Sequence, residues 1–283
     1  TALRSSKTRA SCSSTCKPAG IAGSGSEMAW YAETGETWLK RALITVDGSA
    51  TAAGTVEATV ALPSDWGPFW DNVQADGDDI RVVSADGTTK LVYDLNSWVY
   101  ASKSGNIRVS GFTHPKTNSL SFFWLYFHND SATDGSGSPT TSSPLTTNVE
   151  RAAPVATITA TPELAGATIV RQTLSKTTNE VQHLWVRFPP LEEYCGSVNS
   201  SKIYEEPSHM DVTIEAAGAD QSSMKDLPNT TMIECNGRLY AKIVAQGGSD
   251  ATNYTSVTVL TTTNNRSIDR RVQIKVNDPA EET

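Results

Sequence analysis

The chain lacks most of the features that announce a function directly. No stretch approaches the ~18 to 20 apolar residues that span a bilayer, and the N-terminus has no apolar signal-peptide core, so a soluble chain without a membrane partner is expected. Cysteine is scarce, with 4 in 283 residues. Neither Cys12/Cys16 nor Cys195/Cys235 has the spacing of a zinc site, and no histidine stands close in sequence to the early pair. The four histidines, His114, His128, His183 and His209, belong to no HExxH, GxSxG or phosphate-loop motif, which tells against the commonest hydrolase and nucleotide chemistries. No catalytic residue, no metal and no cofactor is therefore expected. Charge is also modest, at 19% of residues, and the balance of 23 basic to 31 acidic gives −8. Such a body repels nucleic acid and anionic membrane.

What remains is a chain built for strands. Thr, Val, Ser and Ala are frequent, long helix formers are few, and turn residues punctuate short apolar runs, so the expected class is all-β. At 283 residues there is length for two domains, each with its own core.

Charge and composition divide the chain. Residues 1–26 carry Arg4, Lys7, Arg9 and Lys17 and no acid, a local +4 that leaves 19 basic and 31 acidic residues for the remainder. With almost no apolar content this segment is expected to be an extended arm, held by a partner surface. An acidic protein surface suits it better than nucleic acid, since it has neither interleaved aromatics nor a recognition helix. In an oxidising compartment its Cys12 and Cys16 could bridge to each other or to a neighbouring subunit. Cys195 and Cys235 read as two buried thiols or one bridge within the second domain.

From residue 27 to 134, six strands are predicted: 39–46, 55–62, 80–83, 90–95, 106–112 and 120–128. Turn formers such as Asp47-Gly48 and Ala85-Asp86-Gly87 separate them. The run Phe122-Phe123-Trp124-Leu125-Tyr126-Phe127 is apolar on both faces, which marks a central strand. Residues 135–150, rich in Ser, Thr, Gly and Pro, read as a linker. About seven further strands follow in residues 151–278, ending in a clean alternation in which Val272, Ile274 and Val276 face one way and Arg271, Gln273 and Lys275 the other. Residues 279–283 form a tail. The expectation is thus two β-sandwich domains, jelly-roll-like and then immunoglobulin-like, preceded by an extended N-terminal arm.

Three places could carry binding. His183, Trp185 and Arg187 share one face of a predicted strand whose other face is Leu184, Val186 and Phe188. An exposed Trp beside Arg is the composition of a contact surface, unless the loop 189–209 folds over it. Trp66, Trp70 and Trp98 could form a platform for stacking sugar rings, or could be core residues under loops. Asp76-Gly77-Asp78-Asp79 has part of a calcium loop's oxygen donors but no distal Glu, so a turn feeding the next strand is the better account.

Residues 38–47 (Trp38-Leu39-Lys40-Arg41-Ala42-Leu43-Ile44-Thr45-Val46-Asp47), Phe69-Trp70 and residues 76–87 carry a resemblance. Together with Leu91-Val92-Tyr93-Asp94-Leu95-Asn96-Ser97-Trp98 and Leu125-Tyr126-Phe127-His128-Asn129-Asp130-Ser131-Ala132 they make residues 30–135 similar to a domain of unknown function of the DUF2341 type. Where that family usually closes with a Tyr-Tyr-Gly-Asn turn, this chain has Phe127-His128-Asn129. The resemblance implies a concanavalin-like jelly roll of bacterial surface proteins and phage virion proteins, and no catalytic residue. It leads to the expectation of a structural or accessory virion protein of a tailed bacteriophage: capsid decoration, neck or collar, or tail or fibre component. Such a protein would assemble with other virion proteins, as a homo-oligomer or in a symmetric array. The rival expectation is a carbohydrate-binding or adhesive module of a bacterial surface or secreted protein, with a host-surface glycan as ligand. An unrecognised hydrolase would need convergent carboxylates or a His pair in a cleft.

Overall fold

The structure, a computed structural model, describes residues 31–33, 36–48, 51–140, 143–151, 158–159, 169–177, 179–188, 206–235, 238–249 and 252–276. It is an all-β sandwich protein. The first part runs β1 (Ala32–Glu33), β2 (Glu36–Thr37), β3 (Lys40–Asp47), β4 (Gly54–Ala61), the one-turn helix α1 (Gly67–Trp70), β5 (Arg81–Ser84), β6 (Val92–Val99), β7 (Ser104–His114) and β8 (Leu120–Phe127). The second part runs β9 (Leu145–Asn148), β10 (Ile158–Thr159), β11 (Ile169–Lys176), β12 (Gln182–Arg187), β13 (Pro207–Ala216), β14 (Ala219–Asp220), β15 (Thr231–Cys235), β16 (Arg238–Ala245), β17 (Asn253–Thr262) and β18 (Ser267–Val276).

Strand β8 organises the molecule. All eight of its residues are buried, because side chains alternate between faces and each face meets a different core. Phe123, Leu125 and Phe127 pack with Ile44, Val46, Val60, Phe69, Trp70, Ile107 and Val109. Phe122, Trp124 and Tyr126 pack with Leu184, Val186, Met232, Ala241, Leu260 and Ile274 of the second part. Burying one aromatic side chain removes enough apolar surface to contribute about 1.5–3 kcal/mol, so a strand with aromatics on both faces demands cover on both.

That demand changes the expected domain picture. The two sandwiches were expected to hold separate cores, but the second core draws on Trp38, Leu43, Val83, Phe122, Trp124 and Tyr126 from the first part. Strand pairing also crosses the division: β8 pairs with β3 along its length, with β5 through residues 81–84, and with β13 through Ser121↔His209 and Leu120↔Met210. The long ladder consequently runs β11-β18-β17-β13-β8-β3-β9-β4-β7-β6, faced by a four-stranded sheet β10-β12-β16-β15.

The expected linker, 135–150, is likewise partly a strand. Within it β9 lies antiparallel to β3 (Val46↔Thr147) and parallel to β4 (Ala58↔Leu145), stitching two layers together. Its Leu-Thr-Thr-Asn-Val sequence supplies β-branched residues, and Leu145 and Val149 pack against the first core, which outweighs the linker-like composition around it. In β18 the expected alternation is present: Val272, Ile274 and Val276 are buried while Arg271 and Gln273 are half-buried and Lys275 exposed.

Candidate functional site

The polar chemistry of the described residues concentrates at the seam where β3, β5 and β8 meet the second part. Arg41 points from β3 into that seam. Its Nε and Nη2 donate to the two carboxylate oxygens of Glu234 on β15 at 2.9 and 3.0 Å, the fork geometry that guanidinium and carboxylate share. Its Nη1 donates to Glu206 Oε1 at 3.2 Å and to the Tyr126 hydroxyl at 3.4 Å. The guanidinium carbon lies 3.8 Å from the centre of the Trp124 ring, a cation–π contact strengthened by the burial of both groups. Opposite charge holds Arg41 still more firmly protonated than usual against the penalty of its burial.

A second buried arginine, Arg81 on β5, gathers the entry to the fold. Its Nε meets Glu33 Oε2 at 3.1 Å and Nη2 meets Glu36 Oε2 at 3.6 Å, so both acids of the β1–β2 hairpin answer it. The remaining donors go to the carbonyls of Asp78, Ile80 and Thr133 at 2.8–2.9 Å. Lys90 reaches the other oxygen of Glu33 at 3.1 Å, and the Tyr31 hydroxyl donates to it at 2.7 Å. Burial pushes the Glu33 carboxyl up, but these donors outweigh it and leave its pKa below the ordinary value. The path for residue 135 must be glycine, since a Cβ on Gly135 would lie 2.4 Å from the Arg81 guanidinium carbon.

Asp79 is the third organiser. Its carboxylate accepts from the backbone N–H groups of Gln74 at 3.0 Å, His128 at 2.7 Å and Asn129 at 3.3 Å, while its carbonyl accepts from Trp38 Nε1 at 2.6 Å. Asp76 accepts from the Asp78 N–H at 3.2 Å. Asp76, Asp78 and Asp79 thus build the turn that feeds β5; among the described residues no group of three or more His, Cys, Asp or Glu is arranged to hold a metal. No helix among the described residues is long and apolar enough to cross a membrane.

Histidines also meet at the seam. His114 is buried, its Nδ1 hydrogen-bonded with Ser121 Oγ, and Ser121 is the cross-strand partner of His209. Burial lowers the pKa of both histidines. The ring of His114 lies against Gly48, where a Cβ would come within 2.0 Å of it. With Ser121 and His114 sealed from solvent, this pair cannot present a nucleophile to a substrate. Beside it a cleft of about 340 Å³ opens between the β5–β6 turn, the end of β7 and Ser208. Its acid, Asp86, already accepts from the N–H and hydroxyl groups of Thr88 and Thr89. Although burial raises its pKa, the nearby Ser84 hydroxyl and the hydrogen bonds from Thr89 and Thr88 bring it down to about 2.

Comparison with known proteins adds little. No protein-family model matches the chain, and no curated protein matches it. The solved structure of SporoSAG from Toxoplasma gondii is similar over 81% of this chain and 94% of that one, at 11% identity and a TM-score of 0.23. A likeness that slight carries no functional argument.

The sequence-predicted sites fare unequally. Trp66 and Trp70 are 3% and 0% exposed, so they do not form a sugar platform. The turn of α1 directs them inward, where Trp66 stacks on Phe69 at 4.8 Å between ring centres and Trp70 Nε1 donates to Pro63 O at 2.8 Å. Trp98 is half-buried against Trp70, with ring centres 5.1 Å apart, and its Nε1 donates to Ala75 O at 2.9 Å. On β12 the proposed contact face is broken: His183 is exposed and Arg187 half-buried, but Trp185 is only 4% exposed, a core residue of the kind weighed against the contact reading. The arm residues Arg4, Lys7, Cys12, Arg9, Cys16 and Lys17, and the loop 189–205 with Cys195, lie outside the described residues. Cys235 is disulfide-bonded, which rules out the free-thiol reading for it. Sequence reasoning missed Arg41, Glu206 and Glu234 as a group. Only an acid in the middle of the β15 run hinted at a buried partner.

Proposed function

We propose that the chain is a structural or accessory protein of a bacteriophage particle, docked through its basic N-terminal segment and acting as a rigid brace or projection. The observation that carries this reading is the seam: Arg41, Arg81, Asp79, Glu33, Glu150 and Glu234 are engaged in holding strands to one another. Glu150, just past β9, accepts from Lys242 and Thr231 of the opposite sheet at 2.9 Å each. A body so cross-braced resists bending, the property wanted of a particle component. The +4 charge of residues 1–26 against a body of 19 basic and 31 acidic residues supplies a docking element for an acidic protein surface. The resemblance of residues 30–135 to the DUF2341 type points the same way.

Deleting residues 1–26 tests the reading. The shortened protein should keep the melting temperature of the full chain and fail to co-sediment with particles from which the full chain cannot be washed at low salt. Retained incorporation would refute docking through the segment. The carbohydrate-binding alternative would have to use Trp98 and the exposed Tyr100, whose hydroxyl is already donated to Trp70 O at 3.1 Å. Glycan-array binding lost on Trp98→Ala would favour it.

A further inference from the structure

We propose that the cluster of Arg41, Glu206, Glu234 and Tyr126 makes the seam between the two sandwiches a pH-dependent lock, tighter when Glu206 carries a proton than when it does not. Two carboxylates compete there for one guanidinium. Glu234 holds it through both oxygens, leaving Glu206 a single contact through Nη1. The side chains of Arg41, Glu206 and Glu234 are 2, 14 and 10% exposed, so water does little to dilute the repulsion between the acids.

Glu206 is anchored at this place in the seam. Its backbone is tied to the β17–β18 turn, with Thr263 N donating to its carbonyl at 2.9 Å and its own N–H reaching Thr263 Oγ1 at 3.4 Å. On the other side it packs over Gly87, whose absent Cβ would lie 3.5 Å from Glu206 Cγ. Among the described residues the groups facing it are Arg41 from β3, Tyr126 from β8, Glu234 from β15 and Asp86 from the β5–β6 turn. Burial is the largest influence and, with Glu234 and Asp86 adding to it and Arg41 opposing, pushes the carboxyl from 4.5 up to about 7. Folded protein therefore holds a proton that the unfolded chain releases near its ordinary value. The stabilisation is complete below the unfolded pKa and is lost as pH rises through about 7, the sign that linkage gives a raised acid. His114 and His209, whose pKa values are lowered, pull the other way, because the unfolded chain takes up their protons in acid. Only a comparison of variants isolates the lock.

The test is Glu206→Gln in the full chain, melted at a series of pH values from 4 to 8.5. The variant should match the wild type at pH 4, below the unfolded pKa, and melt several degrees higher at pH 8.5, with amide exchange at residues 120–121 and 209–210 several-fold slower there. A melting difference that stays constant with pH overturns the proposal, as does a variant that loses ground at pH 8.5. Titration of wild-type protein carrying ¹³C-labelled glutamate gives a readout independent of the variant's folding. One side-chain carboxyl should titrate near neutral pH, and a full set titrating below pH 5.5 also overturns the proposal.

Discussion

A single side chain can hold a whole stretch of backbone, and Asp79 shows how. Three N–H groups converge on its carboxylate, and one of them belongs to His128, which is held at φ +68°. A left-handed backbone at a residue with a Cβ costs about 1–2 kcal/mol, so something must pin it. Without the carboxylate, three donors at a buried corner lose their acceptor, at about 1–3 kcal/mol for each that water cannot reach. Asp79→Ala should therefore lower unfolding free energy by about 2–4 kcal/mol in urea titrations at unchanged m-value. Asp79→Asn, which keeps one acceptor oxygen, should cost less. Equal losses would mean that the carboxylate is not what holds the corner.

Elements obey the same economy of long-range partners, and β9 is the clearest case. Thr147 pairs with Val46 on β3, and its hydroxyl donates to Thr59 O on β4 at 3.1 Å, so one residue binds two layers. Thr147→Pro removes an N–H within a ladder and should destabilise the whole protein by about 3 kcal/mol, whereas Thr147→Val loses only one hydroxyl bond, about 1 kcal/mol. In a free linker both changes would leave the melting temperature untouched. Strand β18 was legible because period-two burial is written into it, and β8 because a short run apolar on both faces marks a strand covered on both sides. Strand β9 was not, since four residues inside a Ser/Thr-rich tract show no period. Neither was β15: Glu234 interrupts its apolar pattern, and the reason is Arg41, 193 residues away in sequence. Trp66 and Trp70 read as candidates for stacking sugar rings because they stand near turns, yet the turn of α1 is what aims the rings inward. A pairing whose halves lie far apart in the chain leaves no local signature.

At the scale of the whole molecule, the shared β8 decides how the protein unfolds. Two sandwiches with private cores would melt separately, each with its own enthalpy. Here the second core needs Phe122, Trp124 and Tyr126, the same strand whose other face closes the first core through Phe123, Leu125 and Phe127. Unfolding either part exposes half of β8 and strips Arg41 from Glu234. Neither part can open while the other keeps its full stability. Calorimetry should accordingly show one transition, with the calorimetric enthalpy equal to the van't Hoff enthalpy. Trp124→Ala, which acts on the second core alone by contact, should lower that single transition without splitting it, at about 3–5 kcal/mol. Two resolved peaks in the wild type, or a Trp124→Ala profile in which one peak moves and another stays, would show that the cores are energetically separate despite the strand they share.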